Sequence, residues 1–419
     1  MSGGHVPHLA VALDGAGWHP AAWREPDARP EGLFGARYWA DLVLEAESGL
    51  LDFVTIDDRL ALQSSLPYAP DNRVDQVRGR LDAVLVAARV APLTSHIGLV
   101  PVATVTHTEP FHISKALATL DYVSSGRAGW QARVSRGSLE AAHFGRRAIP
   151  GTSHGTSHGT SPDATPGASP GASPDNGQYP GSVQDLALLD EAADFIEVVR
   201  RLWDSWEDHA EIRDVATGRF VDRAKLHYID FEGRWFKVKG PSITPRPPQG
   251  QPVVTALAHA TAAYRLAARG TDLVYVTPLD AEHARRITGE VRQLEAELRT
   301  MSDPIRILAD LVVFLDDDGP SAKARKAHLD ALDGTEYTSD AAVFVGTPSQ
   351  LAERLLAWSD AGLDGFRLRP GALPHDLVAI TRGLVPLLQS AGAFRRGYGS
   401  TTLRAHLGLG RPANRYASV

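Results

Sequence analysis

Eight short apolar runs, each followed by a stretch with helical spacing, constrain this chain more than any other feature. The runs are HLAVALDG (8–15), LDFVTIDD (51–58), HIGLVPVATVT (96–106), RAGWQARVS (127–135), PVVTALA (252–258), DLVYVTP (272–278), PIRILADLVVFL (304–315) and DGFRLRP (364–370). Between them the apolar period changes from that of a buried strand to that of a helix. Tyr38, Leu42, Leu44 and Ala46 mark a helix over 35–49, Pro92 closes one over 80–92, and Pro110 opens one over 109–126. Further helices are predicted over 186–206, 260–269, 281–300, 320–333, 347–361 and 376–391. Strands that alternate with helices imply right-handed parallel crossovers, and eight of them favour a closed α/β barrel, the (β/α)8 TIM barrel. A pair of doubly wound domains is the competing architecture. No G-x-G-x-x-G turn follows any of the runs, so its dinucleotide-binding form lacks support.

The pattern spans residues 1–419 as one barrel domain with two insertions. A Gly/Ser/Thr/Pro tract at 148–183, carrying His154 and His158 in GTSH repeats, reads as a flexible insertion after the fourth strand. A second insertion over 210–245 contains LHYIDFEGRWFKVKG, a hairpin turning at Glu232-Gly233.

Composition narrows the partners. A net charge of -7 without a long basic run argues against nucleic acid or an anionic membrane as the main partner, leaving a small molecule. There is no run of eighteen apolar residues and no signal-like N-terminus, so the expected location is cytoplasmic. Zero cysteines remove disulfides, thiolate catalysis and Cys-ligated metals, and any redox chemistry then belongs to a bound cofactor.

In such a barrel the chemistry sits at the C-terminal ends of the strands. Those ends carry Asp14, Asp57, Asp58, Thr104, Thr106, His107, Gln131, Arg133, Ser135, Arg136, His259 and Arg369. His107 could steer or move a proton near neutral pH, or be a hydrogen-bonded loop histidine. Asp58 ends an apolar run where no core contact asks for a carboxylate. Trp18, His19 and Trp23, in the loop after the first strand, could line a substrate cavity or simply anchor that loop. Trp203 and Trp206 read as packing residues, and FLDDDG (314–319) as a solvated turn.

Several stretches in order along the chain resemble the bacterial luciferase-like flavin monooxygenases. They include GWHPAAWREP (17–26), TEPFHISKALATLDYVSSGRAGW (108–130), DFIEVVRRLWDSWEDHA (194–210) and VGTPSQLAERL (345–355). The combination of S-x-GRAGW with LWDSWEDxA is similar to the group of nitrilotriacetate monooxygenase component A, the pristinamycin synthase subunit and the dibenzothiophene sulfone monooxygenase. The resemblance implies reduced FMN at the barrel mouth, oxygen adding at flavin C4a, and transfer of one oxygen atom from the resulting peroxide to a small organic substrate. It also implies a separate NAD(P)H:flavin reductase and a homodimer.

Carried over residue by residue, the resemblance puts Asp57, Asp58, Thr104, Gln131 and Ser135 against the isoalloxazine or its side chain. The chain departs from the family where the flavin phosphate is usually held. ALAHATAAY (256–264) has alanines in place of glycine and hydroxyl residues, Gln131 replaces an asparagine, and Asp57 stands where alanine is usual. A carboxylate there would oppose an anionic reduced flavin by like-charge repulsion. Either Arg133 or Arg136 takes over the phosphate, or flavin binding is lost and the barrel holds another ligand or partner. An F420-dependent hydride transfer on the same barrel is the remaining alternative.

Overall fold

The computed structural model describes residues 6–66, 71–147 and 183–417. The tract expected to be flexible at 148–183 lies, but for its last residue, outside the described residues.

All eight runs form strands: β1 (His8–Leu13), β2 (Phe53–Ile56), β3 (Gly98–Thr104), β4 (Gly129–Arg133), β5 (Val253–Leu257), β6 (Leu273–Val276), β7 (Arg306–Leu315) and β8 (Gly365–Pro370). Neighbours pair in parallel in that order, and β8 returns to β1 from His8↔Gly365 to Val11↔Leu368, which closes the barrel. The strands are apolar on both faces because helices cover the outside while the lumen is filled by side chains. Closure demands glycine at Gly365, where a Cβ would stand 2.2 Å from the His8 carbonyl oxygen.

An additional strand, Ala342–Gly346, pairs with Leu311–Leu315 on the second half of β7. The first half, Arg306–Ala309, pairs with β6, so β7 exchanges one neighbour at Asp310. The sequence pattern gave no sign of this strand, because its five residues are mostly half-buried and merge into the following helix start.

The helices stand close to their predicted spans, among them Ala36–Ser48, Pro110–Val123, Ala281–Leu298 and Pro348–Ser359. Thr347 and Gln350 form a capping box on the last of these. Asp318, in the expected solvated turn, caps the helix Gly319–Asp333 by accepting from the Ser321 amide. In Ala36–Ser48, Tyr38, Leu42 and Ala46 are buried, but Leu44 is 40 % exposed, because two residues past Leu42 is the opposite side of a helix. The predicted hairpin forms between Phe231–Glu232 and Lys237–Val238, with its turn over 233–236 instead of at Glu232-Gly233 because Glu232 pairs with Lys237, and a second pair, Glu211–Asp214 with Arg219–Val221, precedes it.

GRAGW serves the fold. Arg127 is buried just before β4 and donates to the carbonyls of Ala91, Thr94, Ile97 and Ser124, tying loops at the end of the barrel opposite the mouth. Trp130 is fully buried with its Nε1 on the Ala103 carbonyl. Trp203 and Trp206 likewise anchor by Nε1, to the carbonyls of Ser114 and Ser242.

Candidate active site

The ends of β1, β2 and β4 and the segment after β2 bring together two carboxylates and three guanidiniums. Arg80 reaches both Asp57 and, at 3.0 Å, Asp14. Arg133 stands 3.5 Å and Arg59 3.8 Å from Asp57. Burial alone would raise Asp57, but Arg80, Arg133 and Arg59 outweigh it and hold this carboxyl down at about 2. The Asp57 carboxylate, expected to oppose a reduced flavin, is therefore paired here with guanidiniums from outside its own strand. Asp14 moves the other way: burial raises it, Arg80 offsets part of that, and Asp57 adds to it.

Beside this cluster opens a cleft of about 310 Å3. Its apolar wall is made by Ala61, Leu62, Leu66, Val134 and Leu139; its polar wall holds Arg59, Arg78, Arg133 and Arg136 against Asp71 and Glu140. Cations outnumber carboxylates in the lining, which favours a ligand with a flat apolar body and an anionic end. That is the chemistry of a flavin that carries a phosphate, so the residues present fit the cofactor that the resemblance implies.

The sequence-predicted residues divide by place. Arg133, Ser135 and Arg136 line the cleft. Ser135 is fixed there, its amide on Thr106 Oγ1 at 2.9 Å and its Oγ accepting from Gly137 N. Arg136 meets Asp185 at 2.6 Å. Gln131 is buried lower in the lumen and accepts from Arg367 at 2.6 Å, while Thr104 is buried at the end of β3 and its carbonyl accepts from Thr108.

Trp18, His19 and Trp23 border a second, smaller cavity. Both indoles are anchored, Trp18 Nε1 to the Ala12 carbonyl and Trp23 Nε1 to the Asp75 carbonyl. His19 has both ring nitrogens engaged, Nδ1 accepting from Ala21 N and Nε2 on Asp330, so its ring serves the loop. His107 lines neither cavity. It has a left-handed backbone (φ 73°), stacks on Phe144, and is pushed down to about 4 by burial and then by Arg147, so it is neutral near pH 7.

Asp58 accepts from its neighbour Arg59 N at 2.7 Å and from Ala83 N at 3.0 Å, the latter opening the helix Ala83–Val90. Burial raises its carboxyl to about 6 against those two backbone hydrogen bonds. A carboxyl raised on folding contributes stability below its unfolded value, about 4, which is lost as pH climbs through the folded value. Asp58→Asn is expected to be more stable than the parent by roughly 1–3 kcal/mol at neutral pH and to lose that advantage near pH 4. Equilibrium unfolding at the two pH values checks this; a difference independent of pH would contradict it.

Below the mouth an ionic network crosses the lumen. Arg367 and Arg369 of β8 both hold Asp310 of β7, with Nε distances of 2.7 and 2.9 Å. Arg369 continues to Asp340 at 2.6 Å, Asp340 to His259 at 3.3 Å, and His259 to Thr277 at 2.8 Å. Arg367 also lies 3.5 Å over the Tyr275 ring. The helix Thr261–Gly270, which opens where the phosphate cradle was sought, has Ala260 as its N-cap and no capping side chain.

Sequence reasoning missed Arg59, Arg80, Asp310 and Asp340. Arg80 was assigned to a helix that begins at Ala83; the Asp82 cap was the local signal that placed it outside.

A closed eight-stranded barrel with a charged, cleft-bearing mouth at its strand C-termini defines a barrel enzyme. The model of the family described as luciferase-like monooxygenase matches residues 17–164 and 184–338, and the chain belongs to that family as a flavin-dependent monooxygenase like its named relatives. It is 29% identical to the N-acetyl-S-(2-succino)cysteine monooxygenase of Bacillus subtilis (strain 168), over 98% of both chains. It is also 29% identical to nitrilotriacetate monooxygenase component A of Aminobacter aminovorans, again over 98% of both. Among solved structures, a long-chain alkane monooxygenase shares the fold with a TM-score of 0.79 at 21% identity, covering 96% of this chain and 95% of the other. The fold likeness to the F420-dependent tetrahydromethanopterin reductase of Methanopyrus kandleri is weaker, with a TM-score of 0.57. No helix among the described residues is long and apolar enough to cross a membrane.

Proposed function

We propose that this chain is the oxygenase component of a two-component system, taking reduced FMN from a separate NAD(P)H:flavin reductase and acting on a small organic substrate. One observation carries the reading: the cleft of about 310 Å3 at the strand ends joins an apolar wall to Arg59, Arg133 and Arg136. When bound, reduced FMN supplies the two electrons with which O2 is divided between the substrate and water. Arg133 and Arg136 would hold its phosphate, replacing the cradle that ALAHATAAY lacks. Leu62, Val134 and Leu139 would face the ring and keep water out. Ser135, held by Thr106 and Gly137, would position the side chain of the flavin. Asp57, already paired, would contribute no net repulsion.

The relatives support the partner as well: one is named component A of its monooxygenase, which suits an enzyme that receives its flavin from another protein. The homodimer and the cytoplasmic location expected from the sequence belong to the same proposal.

The direct test is an anaerobic titration of purified protein with photoreduced FMN, followed by flavin absorbance and fluorescence. The expected dissociation constant is in the micromolar range, about −8 kcal/mol. Absence of binding at millimolar concentration would sink the proposal.

A further inference from the structure

The smaller cavity, about 90 Å3, lies against the cleft, and Arg59 lines both. It is too small for a whole substrate and suits a polar group of a few heavy atoms. Trp18, Trp23 and Tyr337 give it aromatic walls. Several of its neutral donors are engaged: the Ser64 hydroxyl donates to Asp71, that of Ser65 to Gln76, and the Gln76 amide to Asp333. Arg80 is different. Arg80 uses its two terminal nitrogens on Asp57 and Asp14, and its Nε is buried without an acceptor. Among the described residues in the lining, Asp14 is the one carboxylate.

We propose that this cavity is the head-group subsite of the substrate, taking the carboxylate of a small organic acid onto Arg80 and Arg59 while Asp14 takes up one proton. The proposal rests on the oxygenase reading, since it places the rest of the substrate in the adjoining cleft.

The proton follows from the charges that surround Asp14. Those facing it are Arg80, Arg59 and Asp57, with the phenols of Tyr38 and Tyr337 nearby. An incoming carboxylate adds a third anion around Arg80, and like charges in a dry cavity repel strongly. One of them has to be neutralised. Asp57 keeps its charge because three guanidiniums face it, and burial holds both phenols in their neutral form far above neutral pH. Among the described residues Arg80 is the one direct partner of the Asp14 side chain, which is already raised by burial, so the proton goes to its carboxyl. One anion and one proton enter together, and the charge of the cluster is unchanged.

Isothermal titration of the full chain with succinate, between about pH 6 and about pH 8 and in two buffers of different ionisation enthalpy, reads this directly. The expected result is uptake of about one proton per succinate at the higher pH, with affinity falling up to about tenfold per pH unit. Succinamide, isosteric and neutral, is expected not to bind. Asp14→Asn keeps an oxygen for Arg80 and is expected to bind succinate with neither proton uptake nor pH slope; Arg59→Gln is expected to weaken it about tenfold or more. Succinamide binding as well as succinate, or unchanged proton uptake in Asp14→Asn, would overturn the subsite. Binding of reduced FMN, measured on the same samples, separates the two proposals. Protein that binds FMN but not succinate removes the subsite alone, whereas succinate binding without FMN binding removes the oxygenase reading and leaves a carboxylate site.

Discussion

Replacing Arg133 and Arg136 together by alanine is expected to weaken the binding of reduced FMN about 100-fold, because each charge-assisted contact to a phosphate contributes roughly 1.5–3 kcal/mol. Part of that is offset, since both guanidiniums already have carboxylate partners, Asp57 for Arg133 and Asp185 for Arg136. Asp57 keeps Arg80 and Arg59 after the substitution, so the cluster at the mouth survives. Riboflavin, which lacks the phosphate, is the control. If the arginines act on the phosphate, riboflavin binds parent and variant alike; an equal loss for both flavins would assign the arginines to the shape of the cleft instead.

The second large effect is on stability. Asp310 is fully buried and is the shared partner of Arg367 and Arg369, both also buried. Asp310→Ala leaves two guanidiniums in the lumen with much of their compensation gone, and a loss of about 3–5 kcal/mol is expected. Arg369 retains Asp340 and Arg367 retains Gln131, so unfolding is expected to stay cooperative. Exchanging Asp310, Arg367 and Arg369 together for apolar residues of similar volume, with Asp340→Asn so that the loss of Arg369 leaves no buried carboxylate unpaired, is expected to cost far less. Denaturant unfolding of both variants measures this, and a single variant as stable as the combined one would show that the network contributes little.

The two effects sit on different parts of the chain, and the sequence revealed them unequally. Barrel strands were legible because an apolar run bounded by turn residues and followed by a helical period has few other solutions, as LDFVTIDD and DGFRLRP illustrate. The additional strand Ala342–Gly346 was not, since a half-buried five-residue strand outside the barrel carries no strong period. Of the strand-end residues, Arg133, Ser135 and Arg136 line the cleft while Gln131 and Arg369 join the network lower in the lumen, and the partners of all of them were out of sight. Asp57 looked like a repulsive charge until Arg80, 23 residues later, was seen to reach it. Arg369 was on the list of mouth residues, yet Asp310 and Asp340, which neutralise it, come from β7 and from the turn before the additional strand. His107 was placed at a strand end by pattern alone, and the positive φ and the Phe144 ring that set its orientation have no local signature. Ion pairing between distant segments is what a single sequence conceals.

This barrel is proposed to receive reduced FMN and to control its reaction with oxygen. The most direct measurement mixes anaerobic protein and photoreduced FMN with oxygenated buffer and follows flavin absorbance and peroxide yield against free reduced FMN. With protein in excess, the expected result is a reoxidation time course distinct from that of the free flavin and altered by Arg133→Ala plus Arg136→Ala. Identical time courses and identical peroxide yields with and without protein would contradict it.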